Sequence, residues 1–259
     1  MGEWVTTIVV DSMQVYREVP VITNQARTRP AEMVGVASVA EDWSVAHHKE
    51  GVEQVISSLK PSVPFVLDGG TGMYLNAIVL GVPIAPKVPE RVRAEAKRLA
   101  IKSGEAENLR RETRRLELEL AGAAPRSSIW QGGLCYDASF VFLHPDRDTL
   151  DRNIRTRSAR IALEGREEAI DLAASAPNAS VRESIGAKEM MLYASGELSI
   201  TEAEESIYTR TRRLARRQIR WFDKLRRCLP EKARILVVEN TQDRRIKHWM
   251  HDTIGRCLR

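Results

Sequence analysis

Two clusters in this sequence combine residue types and spacing that could do chemistry: Asp11-Ser12-Met13-Gln14-Val15-Tyr16 and Gly69-Gly70-Thr71-Gly72-Met73-Tyr74. A carboxylate at a strand end, followed by hydroxyl and amide side chains, can accept a proton and orient a planar acceptor. Asp11 is therefore a candidate general base for an amine or hydroxyl nucleophile. The same Asp-Ser pair can also do no more than cap the next turn. In the second cluster, glycines on either side of Thr71 let backbone amides approach a ligand closely while the hydroxyl donates or accepts at the same point. Gly-Gly-Thr-Gly also occurs in plain turns, so this cluster alone decides nothing.

Both clusters follow short apolar runs, Thr7 to Val10 and Pro64 to Leu67, and such runs read as strands of a parallel sheet that delivers its loops to a ligand site. Between them Val45, Val52, Val55, Ile56 and Leu59 recur at helical spacing, which predicts a helix from Val45 to Leu59 and an α/β unit. Pro83, Pro86 and Pro89 then break the chain. The charged stretch from Arg91 to Leu120 predicts helix, interrupted near Gly104 and closed by Gly122 and Pro125. Phe140 to Leu143 returns as a strand, Asp148 to Gly165 and Ser199 to Leu229 as helices, and Ile235 to Val238 as an edge strand. Ser199 with Glu202 forms a capping box for the last helix. The expected organisation is an α/β core over 1–84 and 140–239, a helical insertion over 85–139 and a C-terminal tail over 240–259.

At 259 residues the chain can bury a substantial core. No run approaches the roughly 18 apolar residues of a membrane span, so a soluble, cytoplasmic protein is expected, with a monomer as the simplest state. Cys135, Cys228 and Cys257 are scattered and include no C-x-x-C pair, which argues against a disulfide framework. His248 and His251 near Cys257 likewise lack half of a zinc site. The net charge of +5 is modest, but Thr209 to Arg227 holds nine basic residues against the single acidic Asp223. On a helix Ile207, Leu214, Trp221 and Leu225 form one stripe, and Arg213, Arg216, Arg217 and Arg220 form another. Such a cationic face is often only solvated, yet planar guanidiniums without acidic partners suit an RNA phosphate backbone.

Asp-Ser-Met-Gln-Val-Tyr, Gly-Gly-Thr-Gly-Met-Tyr-Leu, Ile185-Gly186-Ala187-Lys188-Glu189 and Thr211-Arg212-Arg213-Leu214-Ala215-Arg216-Arg217-Gln218-Ile219-Arg220-Trp221-Phe222 together resemble, in order and spacing, the tRNA dimethylallyltransferases. The resemblance implies a P-loop-kinase-like fold. It also implies transfer of a dimethylallyl group from dimethylallyl diphosphate to the exocyclic amine of the adenosine beside the tRNA anticodon, with Mg2+ assisting. By the resemblance Asp11 takes the amine proton and Thr71 positions the reacting base. Ser12, Met13 and Gln14 would contact tRNA, as would Arg110, Arg114, Arg212, Arg213, Arg216, Arg217 and Gln218. Arg147 and Arg157 are candidates for the departing diphosphate, and the ligands of a metal stay unassigned.

Two features depart from the family pattern. The sequence contains no G-x-x-x-x-G-K-[ST], the phosphate-binding loop expected after a first strand, and Met1 stands only ten residues before Asp11. A start recorded downstream of the true one is the expectation, since it needs only a wrong start site; the alternative is a homologue impaired in diphosphate binding. Met33 to Ala40 stands where a His-His segment is expected, and His47 and His48, which come later, are not its equivalent. Two other readings fit the same residues: an adenylate isopentenyltransferase acting on free nucleotide, and a non-catalytic RNA-binding remnant.

Overall fold

The computed structural model describes residues 5–61, 63–82, 84, 88–104, 109–122, 128–130 and 132–257, without the side chains of Arg110, Arg111, Arg256 and Cys257. Pro83, Pro86 and Pro125, expected as chain breaks, lie outside the described residues.

The β-branched run Thr6–Val9 forms β1, and Phe65–Asp68 forms β2 parallel to it, in register from Thr6 with Phe65 to Val9 with Asp68. Glu32 adds a short parallel bridge on the other side of β1, with Val9 N donating to Glu32 O at 3.0 Å. A parallel pair needs a long crossover, and α1 (Val45–Ser58) supplies it. Ser44 starts α1 by accepting from His47 N, which satisfies one of the free amides of the first turn. α2 (Gly72–Val79) leaves directly from the end of the β2 loop.

α3 (Glu90–Ser103) and α4 (Leu109–Leu120) pack against each other over the stretch expected as one interrupted helix. β3 (Ser139–Leu143) leads into α5 (Arg147–Glu164), α6 (Arg166–Ala174), α7 (Ala179–Arg182) and α8 (Ala187–Ala194). The long α9 (Ile200–Cys228) follows, then β4 (Arg234–Val238) parallel to β3, and α10 (Arg244–Cys257). Among the described residues the strands thus form two parallel pairs, and the architecture is α/β, as the sequence predicts. No helix is long and apolar enough to cross a membrane among the described residues.

α9 rises about 43 Å and ties the molecule together. Ile207, near its start, is fully buried with Tyr16, Ile22, Ile161 and Met190; Leu225, near its end, is buried with Leu80, Val82 and Leu229 under Phe140, Phe142 and Phe222. A third apolar cluster, Ile8, Val10, Val52 and Ile78, holds α1 and α2 against the β1–β2 pair. Burial on both sides of β1 fixes the strand whose end carries Asp11.

Candidate active site

Because β1 and β2 end side by side, their loops emerge together. Val10 N donates to Asp68 O at 2.8 Å and carries the ladder one residue further. A Cβ on Gly69 would stand 2.1 Å from Val10 O, so a side chain here would force the two loops apart. Ser12 N then donates to Thr71 Oγ1 at 3.1 Å, which joins the two sequence clusters directly. Thr71 makes no side-chain cap to α2, consistent with its oxygen serving Ser12 instead.

Asp11 does two things at once. Its Oδ1 accepts from Met13 N at 2.8 Å and Gln14 N at 3.2 Å, closing the turn, while Oδ2 has no hydrogen-bond partner among the described residues. One oxygen therefore caps and holds the carboxylate rigid; the other stays open to a proton. Arg157, on α5, has no hydrogen bond or ion pair among the described residues, and its guanidinium lies within electrostatic reach of Asp11. The residue keeps water contact, yet protein crowds its guanidinium on several sides. That desolvation pulls it below the ordinary arginine value, and the Asp11 charge opposes the shift. It stays a cation at neutral pH and is open to an anion.

Behind the loop sits His48, fully buried. Trp43 Nε1 donates to His48 Nδ1 at 3.2 Å, so the ring proton is on Nε2, which donates to Val9 O at 3.0 Å. Burial lowers the His48 pKa; the bond to Val9 and the Asp11 charge act in the other direction. Tyr74 packs on the ring with centroids 5.1 Å apart. Arg27 closes the front: its Nη1 donates to Asp68 Oδ2 and its Nη2 to Gln14 Oε1, both at 2.7 Å. Nothing in residue type or spacing marks Arg27. His48 carries no such signal either, since the His48–Val9 and Arg27–Asp68 contacts join residues far apart in the chain.

α9 borders the same loops. Gln218 Nε2 donates to Gly70 O at 3.0 Å, and Trp221 Nε1 donates to the buried Asn76 Oδ1 at 3.3 Å. A Cβ on Gly72 would fall 2.3 Å from the Trp221 ring, so this glycine is what lets α9 approach. Beside these contacts Arg213, Arg216, Arg217 and Arg220 are exposed and make no ion pair among the described residues. Arg212 differs, because its Nε pairs with Asp151 Oδ1 at 3.0 Å. Arg147 shares with Arg212, Asp151 and Tyr208 an open recess of about 370 Å³. It precedes Arg157 by about 15 Å along α5, so the two arginines do not occupy one site. Arg114 pairs with Glu117 at 2.6 Å, and the Arg110 side chain lies outside the described residues.

The IPP transferase family model matches residues 14–225. A tRNA dimethylallyltransferase of Rubrobacter xylanophilus is 52% identical over 262 residues, covering 98% of this chain and 89% of the relative. The chain belongs to this family. One from Rickettsia bellii is 30% identical over 251 residues, covering 82% of this chain and 78% of the relative. In fold, this family member is similar to a tRNA isopentenylpyrophosphate transferase of Bacillus halodurans, with a TM-score of 0.70 at 23% identity over 97% of this chain and 88% of that one. A eukaryotic dimethylallyltransferase acting on tRNA gives a TM-score of 0.73 at 18% identity, over 97% and 73%. The fold is accordingly P-loop-kinase-like, and the chain is a prenyltransferase by family.

Proposed function

We propose that this IPP transferase family member moves a dimethylallyl group from dimethylallyl diphosphate to the exocyclic amine of the adenosine beside a tRNA anticodon, in the cytoplasm. The observation that carries this reading is the Asp11 carboxylate, held through one oxygen and open at the other, with the Arg157 guanidinium, unpaired among the described residues, within electrostatic reach. In the step, the amine nitrogen attacks the allylic carbon, the C–O bond to diphosphate breaks, and Asp11 Oδ2 takes the amine proton. Arg157 offsets charge developing on the departing diphosphate. Thr71 holds Ser12 and keeps the loops in register with the base. Exposed Arg213, Arg216 and Arg217 suit RNA phosphates better than a free nucleotide, because a single nucleotide has too few phosphates to engage a helical stripe. Arg147 fits the RNA side with Arg212 better than the diphosphate.

Among the described residues no three His, Cys, Asp or Glu side chains cluster. They do not form a magnesium cage of their own. Mg2+, implied by the resemblance, would take most of its ligands from diphosphate oxygens and water.

The acceptor is tested by supplying the full-length protein with labelled dimethylallyl diphosphate, Mg2+, and either unmodified tRNA or adenosine monophosphate. Label on the tRNA adenosine supports the proposal. Label on the mononucleotide alone replaces it with the free-nucleotide reading.

A further inference from the structure

We propose that Arg27 is a positioning residue that sets the polarity of the Gln14 amide, so that Asp11 and Gln14 together present an acceptor and a donor matched to adenine. The inference rests on the adenosine-acceptor reading above. An arginine side chain has donors and no acceptor, so the amide facing it must present oxygen. The Arg27 fork binds Asp68 Oδ2 with one nitrogen and Gln14 Oε1 with the other, both at 2.7 Å. Gln14 Nε2 has no partner among the described residues and is left as a pure donor on the turn whose backbone, through Gln14 N, is bonded to the Asp11 carboxylate, a pure acceptor when ionised.

Adenine offers the complement, an exocyclic amine that donates next to a ring nitrogen that accepts, N1 on one side and N7 on the other. Guanine carries a carbonyl oxygen in place of that amine and would set an acceptor against the carboxylate. Without Arg27 the Gln14 amide is free to flip, and the donor is no longer fixed. The Arg27 side chain is 25% exposed and that of Asp68 52%, and an ion pair so open to water contributes little to stability. The clasp therefore holds geometry more than it holds the fold. It also bridges the two motif loops, since Gln14 belongs to one and Asp68 precedes the other.

The test uses fluorescence anisotropy of anticodon stem-loops with adenosine, 1-deazaadenosine or 7-deazaadenosine at the reacting position, bound to the wild-type protein, Arg27→Lys and Arg27→Met. The wild type should disfavour one deaza analogue by about fivefold or more, the size of one hydrogen bond. Both variants should shrink that ratio to within about twofold while the denaturation midpoint stays near wild type, because lysine keeps the charge without the planar fork. A wild type indifferent to both analogues, or variants that keep the full ratio, would overturn the inference while leaving RNA binding intact. So would variants that weaken all three stem-loops equally. If no stem-loop binds the wild type, the acceptor reading falls and the inference with it.

Discussion

At the residue scale, Asp11 Oδ1 accepts from the Met13 and Gln14 amides and Oδ2 is open, while Thr71 Oγ1 accepts from Ser12 N at 3.1 Å. Asp11 and Thr71 were legible because a carboxylate and a glycine-flanked hydroxyl at strand ends are unusual in themselves. The capping reading of Asp11 holds, since Oδ1 closes the turn, and Oδ2 is open, which is what the proposed base requires. Arg27 and His48 were not legible, because their contacts with Asp68 and Val9 span 41 and 39 residues of sequence and depend on the packed fold. His48 has a consequence for stability. Its folded pKa lies below the ordinary 6.5, so below that value the unfolded chain binds a proton that the folded chain refuses. Its contribution is full above pH 6.5 and is lost as pH falls through 6.5 toward the depressed folded value. His48→Gln offers the same donor and acceptor atoms without titrating. The drop in urea midpoint between about pH 7.5 and about pH 5.5 should be smaller in this variant than in the wild type. An identical drop in both would show that other groups set the acid limb.

At the element scale, the Ile185–Glu189 motif has a structural explanation. Gly186 turns the chain with φ +94° into α8, and Glu189, buried, accepts from Gly186 N at 2.8 Å and pairs with Arg210 of α9. Arg210 also donates to Glu183 O at 2.7 Å, so one carboxylate and one guanidinium lock α8 to the helix that borders the active loops. Glu189→Gln weakens the ion pair and leaves a partly buried cation less compensated; a loss of about 2–4 kcal/mol is expected from chemical denaturation. A loss under about 0.5 kcal/mol would mean that Arg210 relaxes to water. The ends of α9 were readable from its stripe and its Ser199–Glu202 capping box, both present in the fold. The helices α6, α7 and α8 were not, because 166–194 is short-segmented and alanine-rich and gains its burial from α6 packing on α8 and from α5 and α9 rather than from a strong stripe of its own. Strand runs were legible from β-branched residues. Their grouping into two parallel pairs was not, since pairing is decided by contacts across the whole chain.

At the scale of the whole molecule, α9 brings an apolar stripe, a tie to the Gly70 loop and an exposed row of arginines into one rod, so the arginine row and the Gly70 loop are held to the same helix. If that row faces phosphates, tRNA affinity should fall steeply with salt as condensed counterions are released. Replacing Arg216 and Arg217 together by Gln keeps helix propensity and should shrink the log–log salt slope by about one to two. An unchanged slope would leave the row as solvated surface. The central claim, that Asp11 is the base of a prenyl transfer whose leaving group faces Arg157, is tested most directly by single-turnover label transfer to tRNA in the full-length protein, comparing wild type, Asp11→Asn and Arg157→Gln. The account expects each variant to slow the chemical step by about a hundredfold or more with tRNA affinity nearly unchanged, because both groups act mainly in the transition state. Turnover by Asp11→Asn within a few-fold of wild type would contradict it.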